Sequence, residues 1–191
     1  MAQHNTEERL LYDIKNGSRD AMRRLYNLYS GYAMAIALRY VTDKDDAADI
    51  LQDSFVKIFT KIADVEYRGE GTLRAWMARV VANEALGFLR RRGGITFTDS
   101  FPDDADGDDE PDIDALTDDD LRAMIASLPD GYRVIVNMYV FGQMSHKQIA
   151  EELGISASTS ASQFFHAKRL LARMIKQRCG GKPATISDKK T

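Results

Sequence analysis

Apolar residues recur at three- and four-residue spacing through most of the first 92 positions, the repeat of one helix face turned toward a core. Leu10, Leu11 and Ile14 make a short face that stops at Asn16-Gly17, a pair suited to a helix C-terminus. Ser18 is placed to cap a second helix carrying Met22, Leu25, Tyr26 and Tyr29. Gly31 is a point of interruption before the apolar stretch from Tyr32 to Val41. Thr42 or Asp43 can cap a third helix, in which Ile50, Leu51, Phe55, Ile58, Phe59 and Ile62 recur at helical spacing. Arg68-Gly69-Glu70-Gly71 reads as a loop, and Thr72 as the cap of the next helix, TLRAWMARVVANEALGFLRRR, which ends at Gly93-Gly94.

The periodicity then lapses. Residues 94–116 combine glycine, proline and self-repelling aspartates with few large apolar side chains, a composition that predicts an extended linker. Helical patterning returns from Thr117 to Ser127, stopping at Leu128-Pro129, and from Gly131 to Phe141, stopping at Gly142. A third segment opens at Ser145, where Ser145-His146-Lys147-Gln148 fits a capping box, and stops at Leu153-Gly154. A fourth follows Ser156 and runs to about Lys176. The predicted fold class is all-α: two helical domains, residues 5–93 and 117–178, joined by an acidic flexible linker, with a disordered polar tail over 179–191.

Charge changes the picture once it is divided along the chain. The net charge is only −3. Residues 1–92 carry 15 Lys/Arg against 13 Asp/Glu; residues 93–120 carry 12 Asp/Glu and no Lys/Arg; residues 121–191 carry 11 Lys/Arg against 4 Asp/Glu. The bulk pI of about 5.6 therefore does not argue against nucleic-acid binding, because the basic charge is segregated. Cys179 is the only cysteine, so no internal disulfide can form, and its reading is incidental. No apolar run approaches the roughly 18 residues of a membrane span. The N-terminus lacks the basic start and apolar stretch of a signal peptide, so the expected location is the cytoplasm, without membrane insertion.

The candidate chemistry is recognition rather than catalysis. His4, His146 and His166 are scattered, and neither a nucleophile–base constellation nor a metal-ligand spacing is present; no enzyme, metal or cofactor is expected. SHKQIAEELGISASTSASQFFHAKRLLARMI reads as a helix-turn-helix, with Ile149, Ala150, Leu153 and Ile155 facing Phe164, Ala167, Leu171 and Met174. That packing leaves Ser158, Thr159, Ser160, Ser162, Gln163 and His166 to reach base edges, and Lys168, Arg169, Arg173, Lys176 and Arg178 to hold phosphates. An ordinary helical hairpin with a serine-rich cap is the plainer reading. Arg74, Arg79 and Arg90-Arg91-Arg92, beside the loop with Tyr67, Arg68, Gly69 and Gly71, suit a single strand with an unstacked base. Cations complementing a helix dipole explain some of them equally well. Trp76 fits a core position or a stacking platform. Asp46, Asp49, Gln52, Asp53 and Lys57 form a polar stripe that, on physical grounds alone, is a solvated face.

Three blocks in order resemble the extracytoplasmic-function (ECF) class of sigma-70 family RNA polymerase sigma factors: DDAADILQDSFVKIFTKI, YRGEGTLRAWMARVVANEALGFLRRR and LPDGYRVIVNMYVFGQMSHKQIAEELGISASTSASQFFHAKRLL. The resemblance implies a factor that binds core RNA polymerase and directs initiation at −10 and −35 promoter elements. It implies that Asp46, Asp49, Gln52, Asp53, Phe55 and Lys57 dock on the clamp helices of the largest subunit, with a further contact to the flap of the second subunit. It implies −10 contacts from Tyr67, Arg68, Gly69, Gly71, Arg74, Arg79, Asn83, Phe88, Arg90, Arg91 and Arg92. It implies −35 contacts from Ser145, Lys147, Ser156, Ser158, Thr159, Ser160, Ser162, Gln163, His166 and Arg169. An anti-sigma factor, membrane-bound in many cases, is the further implied partner. The recognition helix departs from a frequent pattern: Ser160, Ala161 and Gln163 stand where valine, lysine and arginine are common, and His166 where arginine is. Weak binding to DNA without polymerase follows from the missing cations. The rival readings are a stand-alone helix-turn-helix regulator of operator DNA and a polymerase-binding module without promoter function.

Overall fold

The computed structural model describes residues 6–97 and 116–179; His4, most of the acidic linker and the tail beyond Cys179 lie outside the described residues. All the regular structure described is helical, in two compact units divided between Ile95 and Thr96. Among the described residues no helix is long and apolar enough to cross a membrane, and no group of three or more His, Cys, Asp and Glu could hold a metal.

The first unit comprises α1 (Thr6–Lys15), α2 (Arg19–Tyr40), α3 (Lys44–Lys61) and α4 (Thr72–Arg91), with a 3₁₀ turn at Ile62–Asp64. Ser18 caps α2 by accepting the Ala21 N–H at 3.2 Å, and Asp43 caps α3 by accepting from Asp45 and Asp46 at 2.8 and 3.0 Å. Helices α2, α3 and α4 pack mutually around Leu25, Ile50, Ile58, Leu73, Met77 and Val81, each of which is buried. Each such side chain contributes about 1.5–3 kcal/mol. That outweighs the roughly 1 kcal/mol cost of a mid-helix glycine, so α2 runs unbroken through Gly31, against the interruption expected there.

The second unit comprises α5 (Asp118–Ser127), α6 (Asp130–Val136), α7 (His146–Leu153) and α8 (Ala157–Cys179). Thr117 and Asp120 form a reciprocal capping box on α5; those hydrogen bonds first, and Arg178 after them, hold the Asp120 carboxyl below its usual range. Ile125, Leu128, Val136 and Ala167 form the core, with Tyr132, Phe164, Leu170, Leu171 and Met174 packed against it. α6 does not run on as an α-helix to Phe141 but widens into a π-helical turn over Asn137–Phe141, closed by the Gly142 N–H on the Asn137 carbonyl at 2.9 Å. Thr96 and Phe97, within the segment read as linker, lie against α6: a Cβ at Gly131 would sit 2.6 Å from the Thr96 carbonyl oxygen.

Arg133 ties the start of this unit together. It is 5% exposed and donates to the carbonyls of Ala126 and Leu128 at 3.0 and 2.8 Å, at the C-terminal end of α5, while pairing with Asp130. Replacing it strands buried acceptors. Arg133→Met is expected to lower the unfolding free energy of the full chain by about 2–3 kcal/mol, measured by urea denaturation followed by circular dichroism.

Candidate nucleic-acid and partner surfaces

The first unit offers a loop and two helix faces. After Val65 the chain turns through residues 66–71, with Gly69 and Gly71 at φ of +120° and +86°, a region that side chains disfavour. Thr72 does not cap α4 as its position suggested. Its hydroxyl turns back into the loop, donating to the Gly69 carbonyl at 2.6 Å and accepting the Arg68 N–H at 3.1 Å. The cap position falls to Gly71, which has no side chain to offer. Arg68 is exposed and Tyr67 half-buried. Desolvation, and then the carboxylates of Glu8, Glu7 and Glu70, raise the Tyr67 phenol above its usual pKa, so it stays a neutral hydrogen-bond donor.

Along α4, Arg74, Arg79, Asn83, Arg90 and Arg91 are exposed, as is Arg92 just beyond its end, while Phe88 and Trp76 are half-buried. Arg74 lies 4.3 Å over the Tyr32 ring. On α3 the stripe of Asp49, Gln52, Asp53 and Lys57 is exposed, and Asp46 is half-buried. Phe55 does not belong to that surface: at 4% exposure it is core, 4.7 Å from the Tyr26 ring and 5.6 Å from Phe59. Its place as a contact residue is corrected to a support for Tyr26, which is 43% exposed above it. Val56, 64% exposed in the middle of the polar stripe, is a contact candidate that the periodicity missed.

The two faces are electrically joined. Asp46 pairs with Arg92, Asp53 approaches Arg91 at 3.9 Å, and Lys57 pairs with Glu84, whose side chain is only 9% exposed. Residues read separately as polymerase-docking and DNA-binding thus neutralise one another across α3 and α4. The Asp53–Arg91 pair is about 60% exposed on both sides and is worth at most a few tenths of a kcal/mol, so a partner can displace it readily.

In the second unit, α7 and α8 form the helix-turn-helix. Gly154 ends α7 at φ +69°, and Ser145 and Gln148 form the capping box read from the sequence. Ser156 starts α8: its hydroxyl accepts the Thr159 N–H at 2.9 Å and bonds the Ser158 and Thr159 hydroxyls at 2.7 and 2.8 Å. Two expected contact residues face inward. Ser160 is fully buried and bonds His146 Nδ1 at 2.9 Å, bolting α8 to α7; Gln163 is 1% exposed. The α8 repeat carries both toward the core side with Ala167, so neither is positioned to touch a base edge. The surface left open includes Ser145, Lys147, Ser156, Ser158 and Lys168, with Thr159, Ser162, His166 and Arg169 half-buried. Phe165, 56% exposed and edge-on to His166 at 5.3 Å, adds an apolar residue to a surface that residue type alone marks as polar. An exposed phenyl there suits a thymine methyl in a major groove.

The Sigma-70 region 2 family model matches residues 25–95, and the Sigma-70, region 4 model matches residues 118–171. The chain is similar to the ECF RNA polymerase sigma-E factor of Haemophilus influenzae, with 24% identity over 188 residues, 92% of this chain and 98% of the relative. It is also similar to the RNA polymerase sigma factor SigV of Bacillus subtilis, with 27% identity over 136 residues, 71% of this chain and 80% of the relative. The co-crystal structure of the sigma factor RpoE with the anti-sigma factor NepR from Bartonella quintana aligns over 81% of this chain and 96% of that chain, at 21% identity and a TM-score of 0.49.

Burial separates fold from contact on α8. Gln163→Ala is expected to cost about 1–3 kcal/mol of unfolding free energy, whereas Phe165→Ala stays within about 0.5 kcal/mol; urea titrations of the two variants check the difference.

Proposed function

The chain belongs to the sigma-70 family, as an RNA polymerase sigma factor of the ECF class that directs promoter-specific initiation, and we propose that its two helical units divide the promoter between them. The observation that carries this reading is the exposed loop at residues 66–71 standing at the head of an arginine-lined helix. Tyr67 and Arg68 offer a planar ring and a guanidinium to an unstacked −10 base, while Arg74, Arg79, Asn83 and Arg90 follow the strand. Strand opening is then driven by capture of unstacked bases.

Helix α8 enters the major groove at the −35 element with Ser158, Thr159, Ser162, Phe165 and His166 toward the bases and Lys147, Lys168 and Arg169 toward phosphates. Asp49, Gln52, Asp53 and Val56 on α3 dock on the clamp helices of core polymerase, and the second unit reaches the flap. Bond formation belongs to the polymerase; this chain supplies recognition in the cytoplasm. An anti-sigma factor, membrane-bound in many systems, controls it by covering the same α3 stripe, where exposed Val56 and the neighbouring Tyr26 of α2 give an inhibitor apolar area to bury.

Run-off transcription with purified core polymerase on upstream fragments from the source genome tests the reading. Defined start sites are expected only with the chain added. Arg90→Ala is expected to reduce them about tenfold, with a shallower salt dependence by about 0.7–0.9 in the logarithmic slope for each lost phosphate contact. Tight polymerase-independent binding to duplex DNA without initiation would instead establish an operator-binding regulator.

A further inference from the structure

The loop of residues 66–71 is held only in part by its own bonds, which run from Thr72 to Arg68 and Gly69. Two of its residues are glycines at positive φ, free to adopt many backbone conformations. Its threonine is spent within the loop, and α4 therefore begins with no cap from its own neighbourhood. The first N–H groups of a helix have no intrahelical acceptor and need one from elsewhere. That acceptor comes from α1, more than sixty positions earlier in the chain. Glu7 Oε2 accepts the Gly71 N–H at 3.0 Å and the Leu73 N–H at 3.4 Å, and Glu7 Oε1 accepts the Tyr29 hydroxyl of α2 at 2.8 Å.

We propose that Glu7 is a positioning residue for promoter opening: its carboxylate, clamped between the Tyr29 hydroxyl and the amides of Gly71 and Leu73, holds the loop of residues 66–71 in the shape that receives a −10 base. The proposal rests on the assignment of that loop to base capture. A carboxylate suits the positive end of the α4 dipole, and its charge strengthens each hydrogen bond it accepts. Burial, and then the hydrogen bond to Glu7, push the Tyr29 phenol well above its usual pKa, so it remains a donor at any physiological pH. With the α4 amides occupied by Glu7, they are not a phosphate site, and the loop presents Tyr67 and Arg68 instead. Glu7 itself touches no DNA in this scheme; it acts through the loop.

The test uses holoenzyme assembled from core polymerase and the full chain, on a promoter mapped by run-off transcription. 2-Aminopurine is placed at successive non-template −10 positions to report the unstacked base. Glu7→Ala is expected to lower the capture signal about tenfold, with affinity for core polymerase essentially unchanged and the thermal midpoint of the free chain lowered by only about a few degrees. Glu7→Gln keeps an acceptor for the amides and is expected to restore the signal to within about threefold of the parent. Full capture by Glu7→Ala overturns the proposal, as does a loss in which core affinity and thermal midpoint fall in step. Tyr67→Ala separates this from the underlying assignment. If Tyr67→Ala abolishes capture and Glu7→Ala does not, only the role of Glu7 fails. If Tyr67→Ala and Arg68→Ala both capture normally, the loop assignment fails and the Glu7 proposal falls with it.

Discussion

Every helix leaves four N–H groups at its start and four carbonyls at its end without intrahelical partners, and the eight described helices of this chain must satisfy them all within a small protein. How each end is satisfied decides much of the architecture. Ser18, Asp43, Thr117, Ser145 and Ser156 do it locally, with side chains that fold back within two or three residues. Two ends are satisfied from a distance. Glu7 of α1 caps α4, and buried Arg133 of α6 donates to the Ala126 and Leu128 carbonyls at the end of α5. These two join elements that their own apolar faces bring near.

A factor that directs promoter-specific initiation spreads its selectivity over exposed groups that must remain displaceable. The α3–α4 seam shows how that is compatible with stability. Asp46, Asp53 and Lys57 neutralise Arg92, Arg91 and Glu84 across it. The pair involving buried Glu84 is structural, since removal of Lys57 leaves a carboxylate in apolar surroundings; the pair at the exposed edge is weak enough to be traded for a polymerase side chain or a phosphate. On α8 the same division runs along the serine-rich helix. Ser160 and Gln163 are buried against the body of the second unit, while Ser158 and Phe165 are exposed and Ser162 half-buried.

Much of this was legible in the residues taken in order. The helical repeat of Ile50, Ile58 and Ile62 marks a buried face because a 3.6-residue turn returns a side chain to the same side. Caps such as Ser18, Asp43 and Ser145 are readable because donor and acceptor lie within one turn of sequence.

Only the tertiary structure decided where partners separated by many residues meet. Nothing near Thr72 shows that its hydroxyl is spent in the loop, or that a glutamate 64 residues before Gly71 replaces it. The inward turn of Ser160 depends on His146, which a sequence repeat does not bring into view. Helical spacing alone puts Phe55 on the apolar face and Val56 off it, but only packing brings the Tyr26 ring over Phe55. Periodicity and capping act over one helical turn and are written in the sequence itself; burial and long-range hydrogen bonding depend on which surfaces the packed helices bring together, and that is determined only in three dimensions.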